Sequence, residues 1–497
     1  MSEYKKFTKD VGIVAISNFL LKIRNILFIA IVGNFLGASE YGIYIIVMLT
    51  VTLLAPFSAL GLRGAMVRFL SGERDREKIA QGYYTVLIVP AVLSFIFSII
   101  VSVFAPAIAS ILGDINATNA INIGAFLIFL KILNGVSFEF FRTSRKIIQF
   151  CSLQIAVNFA EVISALVLVL NNFGLESILY SFLIIRFSIF LFTSILIFNE
   201  IGISYPNFSL LREYLRFGIP LIPRSISGKI IDSFDRYLIG FFLNSTAVGI
   251  YSAAYGIGSI MRVFMGIINV VLFPTLSKLW EENREHELKI FFRYTLKYFL
   301  ILAIPSIFGL TVLSKEILTI IAGSEFVYQG YLIIPVIAIA ITFFHSTFQV
   351  FGYIFLLVKR TYINAVVLFS GALLNLFLNI ILIPYFQSNY NYGIMGAAIA
   401  TLISFFTIGI ATVMLSRKYF TFEIEKSFIL KSVISAFLMS ILVYKIRVNT
   451  FPEIFIPISV GAIFYFILLF IFRAFSEKEI KFFKEILISA KSKFLRI

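Results

Sequence analysis

Runs of about twenty apolar residues recur along the chain from end to end, separated by short polar segments. One such run is long enough to cross the hydrocarbon core of a bilayer as a helix. Within lipid the backbone must satisfy its own hydrogen bonds, which a helix does inside one segment. The pattern predicts an all-α polytopic membrane protein with about 14 transmembrane helices. The expected spans are about 11–32, 41–62, 83–112, 119–140, 148–171, 174–198, 215–242, 247–273, 294–322, 330–357, 361–386, 392–416, 427–446 and 452–474. Only 14% of residues are charged, against about a quarter in a soluble domain. No loop is long enough to hold a soluble domain, so an enzyme with an active site outside the membrane has nowhere to put it. The N-terminus, Met1-Ser2-Glu3-Tyr4-Lys5-Lys6, leads into an apolar stretch broken by charges and Asn, with no small-residue cleavage site. That predicts an uncleaved first helix rather than a signal peptide.

Lysine and arginine orient the helices. With the N-terminus inside, the inner segments hold 31 of the 42 cations and the outer loops only Lys445 and Arg447. This follows the positive-inside rule, requires an even number of helices, and places both termini in the cytoplasm. Topology thereby accounts for most of the net charge of +16, and no nucleic-acid partner is expected. Residues 475–497 read as a cytoplasmic basic amphipathic tail. Ser476 and Glu479 form a capping box, Phe482, Phe483, Ile486 and Leu487 turn towards membrane lipids, and the lysines turn towards anionic headgroups.

Cysteine and histidine carry little chemistry. Cys151, the single cysteine, lies in an apolar run and reads as a small buried side chain. His286 and His345 are far apart, without partners at ligand spacing. No metal site and no cofactor are expected.

An internal repeat organises the rest. Residues 33–44, GNFLGASEYGIY, and 240–251, GFFLNSTAVGIY, match at six of twelve positions at an offset of 207. Six helices separate the copies, so both run in the same direction across the membrane. A parallel repeat of this kind predicts two pseudo-symmetric lobes around a central cavity. The N-terminal six-helix lobe would cover 1–205 and the C-terminal six-helix lobe 206–416, with helices 13 and 14 in 417–474.

Some charges fall where lipid would be. Lys22, Arg24, Lys131, Arg186, Arg224, Lys229, Arg236 and Arg262 lie inside expected spans, accompanied only by Glu161, Asp232 and Asp235. Each costs about 3 kcal/mol at a helix centre facing lipid, so they must face one another or water. On a helical wheel Arg224, Lys229, Asp232, Asp235 and Arg236 share an arc of about 140°. Asp232 and Arg236 are placed to pair at i,i+4, and Asn18, Lys22 and Asn25 form a stripe on helix 1. Pairing alone leaves five positive charges over. A water-filled cationic cavity for an anionic group accounts for them, and a guanidinium suits phosphate because its planar fork donates twice.

The run Asp235-Arg236-Tyr237-Leu238-Ile239-Gly240, then Val248-Gly249-Ile250-Tyr251-Ser252-Ala253-Ala254-Tyr255, resembles the start of the second lobe of Wzx-type polysaccharide flippases. These belong to the multidrug/oligosaccharidyl-lipid/polysaccharide exporter superfamily. Leu36-Gly37-Ala38-Ser39-Glu40-Tyr41-Gly42-Ile43-Tyr44 resembles that family's early loop. Asn375, Asn379, Pro384 and Gly393-Ile394-Met395-Gly396-Ala397-Ala398 resemble it further along. The resemblance implies two six-helix bundles working by alternating access. It also implies a cargo, an oligosaccharide on polyprenyl (pyro)phosphate moved from the inner to the outer leaflet. Lys22, Arg24, Arg224, Lys229 and Arg262 would then meet the pyrophosphate. Glu161, Asp232, Asp235 and Arg236 would serve coupling or intramembrane pairing, and so would Asn375 and Asn379, with a proton or sodium as the coupling ion. Polysaccharide polymerase machinery is a candidate partner. Two rivals remain: a cation-coupled multidrug exporter of the same superfamily, whose organic cations a positive cavity would repel, and a membrane oligosaccharide polymerase, which commonly needs a larger outer loop.

Overall fold

A computed structural model describes residues 3–115, 117–477 and 479, without the side chains of 3–9, 11, 224, 225, 227, 267, 270, 271, 273 and 274. The expected tail helix lies almost wholly outside these residues. Among the described residues the regular structure is helical. In chain order the helices are α1 (Glu3–Ala59), α2 (Leu62–Leu70), α3 (Arg76–Val103), α4 (Ala105–Ile111), α5 (Ala117–Thr143), α6 (Ile147–Leu170) and α7 (Leu175–Ile201). They continue as α8 (Leu211–Gly218), α9 (Ile222–Phe242), α10 (Ser245–Gly258), α11 (Met261–Glu281), α12 (Glu285–Val312), α13 (Ser314–Ala322) and α14 (Val327–Gly330). The last are α15 (Ile333–Phe344), α16 (Val350–Leu357), α17 (Thr361–Tyr390), α18 (Gly393–Ser416), α19 (Lys426–Tyr444) and α20 (Phe455–Ile471).

Eleven helical stretches among the described residues are long and apolar enough to cross a membrane. The protein is therefore a multi-pass membrane protein. The difference from the fourteen expected spans lies in three places, each with a physical cause. Helix α1 carries the first two spans as one element, interrupted only at Gly37, whose φ of 81° suits a residue without a side chain. The seventh expected span divides into α8, a short 3₁₀ turn and α9, where Pro220 and Pro223 break the hydrogen-bond ladder. Its α9 portion carries five charged residues and so falls short of the apolarity of a simple span. The eighth divides into α10 and α11 around Ser259 and Ile260.

The repeat extends beyond the twelve matched residues. Helices α3 and α12 are each 28 residues long, and each is followed by a short helix, α4 or α13. The next turns also recur: Arg145 and Lys359 adopt φ of 55° and 59°, and Asn172 and Asn391 adopt 60° and 51°. Gly37 and Asn244, separated by the same 207 residues, both sit at turns. Asn244 caps α10 by accepting the Ala247 N–H at 2.9 Å.

Packing divides the chain into two compact units. The first comprises Met1–Ile257, Ile321–Ile333 and Ala365–Thr407. Within it α3 packs on α5, α5 on α7 and α1 on α6. Leu62, Met66, Tyr83, Phe140, Phe141 and Tyr214 belong to its buried apolar core. The matched segments of the repeat meet reciprocally here. A Cβ on Gly42 would lie 1.9 Å from the Ser245 carbonyl oxygen, and one on Gly249 would lie 2.0 Å from that of Ala38. These positions interchange under the 207-residue offset. The hydroxyls of Ser39 and Ser245 add a hydrogen bond of 2.9 Å. Small residues four apart let two helices in a membrane approach until their backbones touch.

The second unit comprises Gly258–Ile320, Ile334–Asn364 and Ile408–Ile497. Helix α12 packs on α11 and α19, and α19 on α20, so the last two helices attach to this unit through α12. Lys297, buried, lies 2.8 Å from both the Glu425 and the Glu479 carboxylates. Glu479 also accepts the Ser476 N–H at 2.8 Å, while the Ser476 hydroxyl lies 3.4 Å from the Glu479 nitrogen, forming the expected capping box. Burial pushes the Glu479 carboxyl up, but Lys297 and Ser476 outweigh it and hold the group below the ordinary carboxylate value.

Candidate functional site

The site is built from intramembrane charges of the first unit. Glu161 of α6 is almost fully buried and shared by two arginines. Arg24 of α1 donates Nη2 to one carboxylate oxygen at 3.0 Å, and Arg186 of α7 approaches the other at 2.5 Å. The Arg24 guanidinium also lies over the Phe28 ring at 5.0 Å and donates to Asn25 at 3.2 Å. Its Nε is buried without a hydrogen-bond partner among the described residues. Asn134 fixes the Arg186 end by donating to the Arg186 carbonyl at 3.0 Å.

Two lysines join this triad through one residue of α1. Lys131 of α5 approaches the Thr52 hydroxyl at 3.4 Å, and Lys229 of α9 donates to the Thr52 carbonyl at 2.6 Å. Lys131 is close enough to interact electrostatically with Arg24, Arg186, Lys229 and Glu161. The cluster thus sets two arginines and two lysines around one carboxylate. Charges in a low-dielectric setting need compensation within a few ångströms, and Glu161 can supply it to only two groups. The arrangement can therefore accept an anion.

A second group surrounds the α9–α10 turn. Arg236 donates from Nη1 to Asp235 at 2.9 Å, and to the main-chain carbonyl of Asp232. Tyr251 donates its hydroxyl to the other Asp235 oxygen at 2.6 Å. The Arg236 guanidinium lies over the Tyr255 ring at 4.1 Å. Asp235 and Arg236 are both buried, so this group is a closed ion pair. The expected Asp232–Arg236 contact includes the Asp232 backbone, with Asp235 as a carboxylate partner.

Asn375 and Asn379 share α17. Asn379 donates to the Asn375 side-chain oxygen at 3.1 Å. Asn375 Nδ2 and Asn379 Oδ1, both buried, have no hydrogen-bond partner among the described residues.

Of the other expected anion-binding residues, Lys22 is exposed on α1. Arg262 is half-buried at the start of α11, in the second unit, and the Arg224 side chain lies outside the described residues. Lys131 and Arg186 were visible in the sequence as intramembrane cations. Their place beside Glu161 was not, because nothing in the spacing brings α5 and α7 together. Half-buried Arg63, which interacts electrostatically with Lys229, read as an ordinary inner-loop cation.

A family model described as polysaccharide biosynthesis protein matches residues 31–329, more than half of the chain. The chain is similar to the "probable low-salt glycan biosynthesis flippase Agl15" of Haloferax volcanii, at 24% identity over 90% of this chain and 92% of that one. It is also similar to the "succinoglycan biosynthesis transport protein ExoT" of Rhizobium meliloti, at 24% identity over 65% of this chain and 64% of that one. Among solved structures, the lipid II flippase MurJ in an inward closed conformation matches with TM-score 0.69 at 20% identity, covering 92% of this chain and 98% of that one. An inward-facing multidrug transporter of the MATE family matches with TM-score 0.68 at 15% identity, covering 80% of this chain and 94% of that one.

Proposed function

Because this chain belongs to the polysaccharide biosynthesis protein family, we propose that it is a flippase carrying polyprenyl-(pyro)phosphate-linked oligosaccharide units from the inner to the outer leaflet of the cytoplasmic membrane by alternating access. The product would feed surface polysaccharide synthesis. The observation that carries this reading is the surplus of positive charge around Glu161, with the Nε of Arg24, which has no partner among the described residues, within it. A pyrophosphate supplies the missing negative charge and several acceptor oxygens.

In the second unit, α12, α19 and α20 contribute to an apolar groove of about 310 Å³ lined by residues such as Leu302, Pro305, Gly309, Met439, Gly461 and Tyr465. A groove of this kind suits a segment of polyprenyl chain, which would let the lipid stay in the bilayer while the headgroup crosses. The full reading has fourteen crossings, six-helix lobes at 1–205 and 206–416, both termini inside and a basic tail on the inner leaflet. Lys22, Arg224 and Arg262 act with Arg24 and Lys229 on the pyrophosphate. The buried Asn379 Oδ1, an acceptor with no hydrogen-bond partner among the described residues, supports a coupling role for a cation at Asn375 and Asn379. Transport that ignores both proton and sodium gradients would remove that role. The multidrug alternative shares the fold, but the cationic cluster opposes its usual organic cations.

The test is deletion of the gene in its host, followed by assay of which leaflet holds the lipid-linked oligosaccharide. Complementation then compares wild type with Arg24→Gln and Arg262→Gln. Arg24→Gln leaves Glu161 paired with Arg186, so abundance should hold while export falls by at least about tenfold, the scale of one lost charge-assisted contact. Unchanged export in both variants would sink the assignment.

A further inference from the structure

Helices α15 and α16 are joined by a π-helical turn, His345–Gln349. Such a turn inserts an extra residue into the helical ladder, shifts the face that follows it, and is frequent at functional sites. Here it is packed tightly on its other side: a Cβ on Gly409 of α18 would lie 2.2 Å from the Thr347 hydroxyl. The shift coincides with a chain of neutral polar groups. Asn269 of α11 donates Nδ2 to Gln349 Oε1 at 2.9 Å, and Tyr353 of α16 donates its hydroxyl to Asn269 Oδ1 at 3.2 Å. All belong to the second unit.

A simple clasp between α11 and α16 would be fully buried and fully satisfied. This chain is neither. Asn269, Gln349 and Tyr353 are all half-exposed, and the Gln349 amide nitrogen, with two N–H groups to donate, has no partner among the described residues. Gln349 and Tyr353 also lie in a segment long and apolar enough to cross a membrane. Against lipid, those donors would be left unpaired at high cost. They therefore face water or a polar ligand. The chain alternates donors and acceptors, carries no charge, and ends on an aromatic ring. Hydroxyl groups, which both donate and accept, use all of that chemistry, whereas a phosphate, which only accepts, uses the donors alone.

We propose that Asn269, Gln349 and Tyr353 form a subsite that reads the hydroxyls of the glycan portion of the cargo, separate from the cations that hold its pyrophosphate. The inference rests on the flippase reading. Amide and phenol groups bind sugar hydroxyls one hydrogen bond at a time. A site built around those bonds loses discrimination when a partner is removed.

The experiment uses the purified full chain and two probes: farnesyl pyrophosphate, and the same lipid pyrophosphate carrying a chitobiose disaccharide. Equilibrium binding of each is measured for wild type, Gln349→Met, Tyr353→Phe and Arg24→Gln. Wild type should prefer the sugar-bearing probe by about tenfold or more. Gln349→Met and Tyr353→Phe should each shrink that preference by about fivefold, with affinity for the bare lipid unchanged. Tyr353→Phe keeps the ring and its packing, so it guards against a folding defect in the first variant. Arg24→Gln should weaken both probes alike and leave the preference intact. A wild type that binds both probes equally, or variants that keep the wild-type preference, would overturn the subsite. A wild type that binds neither probe would overturn the flippase reading beneath it.

Discussion

In the first unit one carboxylate, Glu161, serves two arginines, with two lysines close by; in the second, one lysine, Lys297, serves two carboxylates, Glu425 and Glu479, with Arg293 at 3.4 Å from Glu425. Both clusters are largely buried and well bonded. The second is balanced, two cations against two acids. The first is not, with two arginines and two lysines around a single carboxylate. A balanced network is sufficient explanation of itself, because its charges neutralise one another and lock elements together. An unbalanced one in a membrane protein is costly unless something else arrives to balance it. That is why the Lys297 group reads as a junction between α12, the connector before α19 and the start of the tail, whereas the Glu161 group carries the proposal of an anion site.

The strongest way to break this contrast is Glu161→Gln. It leaves Arg24 and Arg186 without their shared counter-charge and should cost about 3–5 kcal/mol. The expected result is a marked loss of folded protein in the membrane, read by detergent-solubilised yield and thermal stability. Near-normal stability would mean that water or lipid phosphate already neutralises the arginines. Next comes Lys297→Met, which strands Glu479, leaves Glu425 with Arg293 alone, and should destabilise by about 3 kcal/mol. Replacing Glu479 by Leu in the same chain should restore most of that loss. Failure of the double variant to recover would show that the junction does more than balance charge.

The smallest expected effect is acidification. The native Glu479 carboxyl titrates below its ordinary value of about 4.5, so its contribution is complete above that pH. It fades as the pH falls below 4.5 and through the depressed native value. The protection factor of the Ser476 amide, which donates to Glu479, should fall over that window and stay flat between pH 6 and 8. A fall already at pH 6 would contradict the depressed value.

Much of this was legible in the sequence. The spans α3, α5, α6, α7 and α17 to α20 follow from apolar runs of the right length, because a membrane admits few other solutions. The capping box at Ser476 and Glu479 depends on a spacing of three and needs no tertiary information. The turn shared by Gly37 and Asn244 follows from the repeat. Other features were hidden. Lys131 and Arg186 lie far from Glu161 in sequence, and no periodicity within one helix tells which face meets another. The interruptions after Pro220 and around Ser259 were absorbed into single spans, since hydropathy averages over a break of a few residues.

By itself, then, the sequence determined that the chain lives in a membrane, carries a twelve-residue segment twice and sets more cations than acids inside its expected spans. Those are properties of composition and order along the chain, read one segment at a time. Only the tertiary structure decided which charges cancel and which remain. Cancellation needs a cation and a carboxylate within about 4 Å, and the falloff of screened charge interactions makes that contact, rather than the count, the deciding quantity.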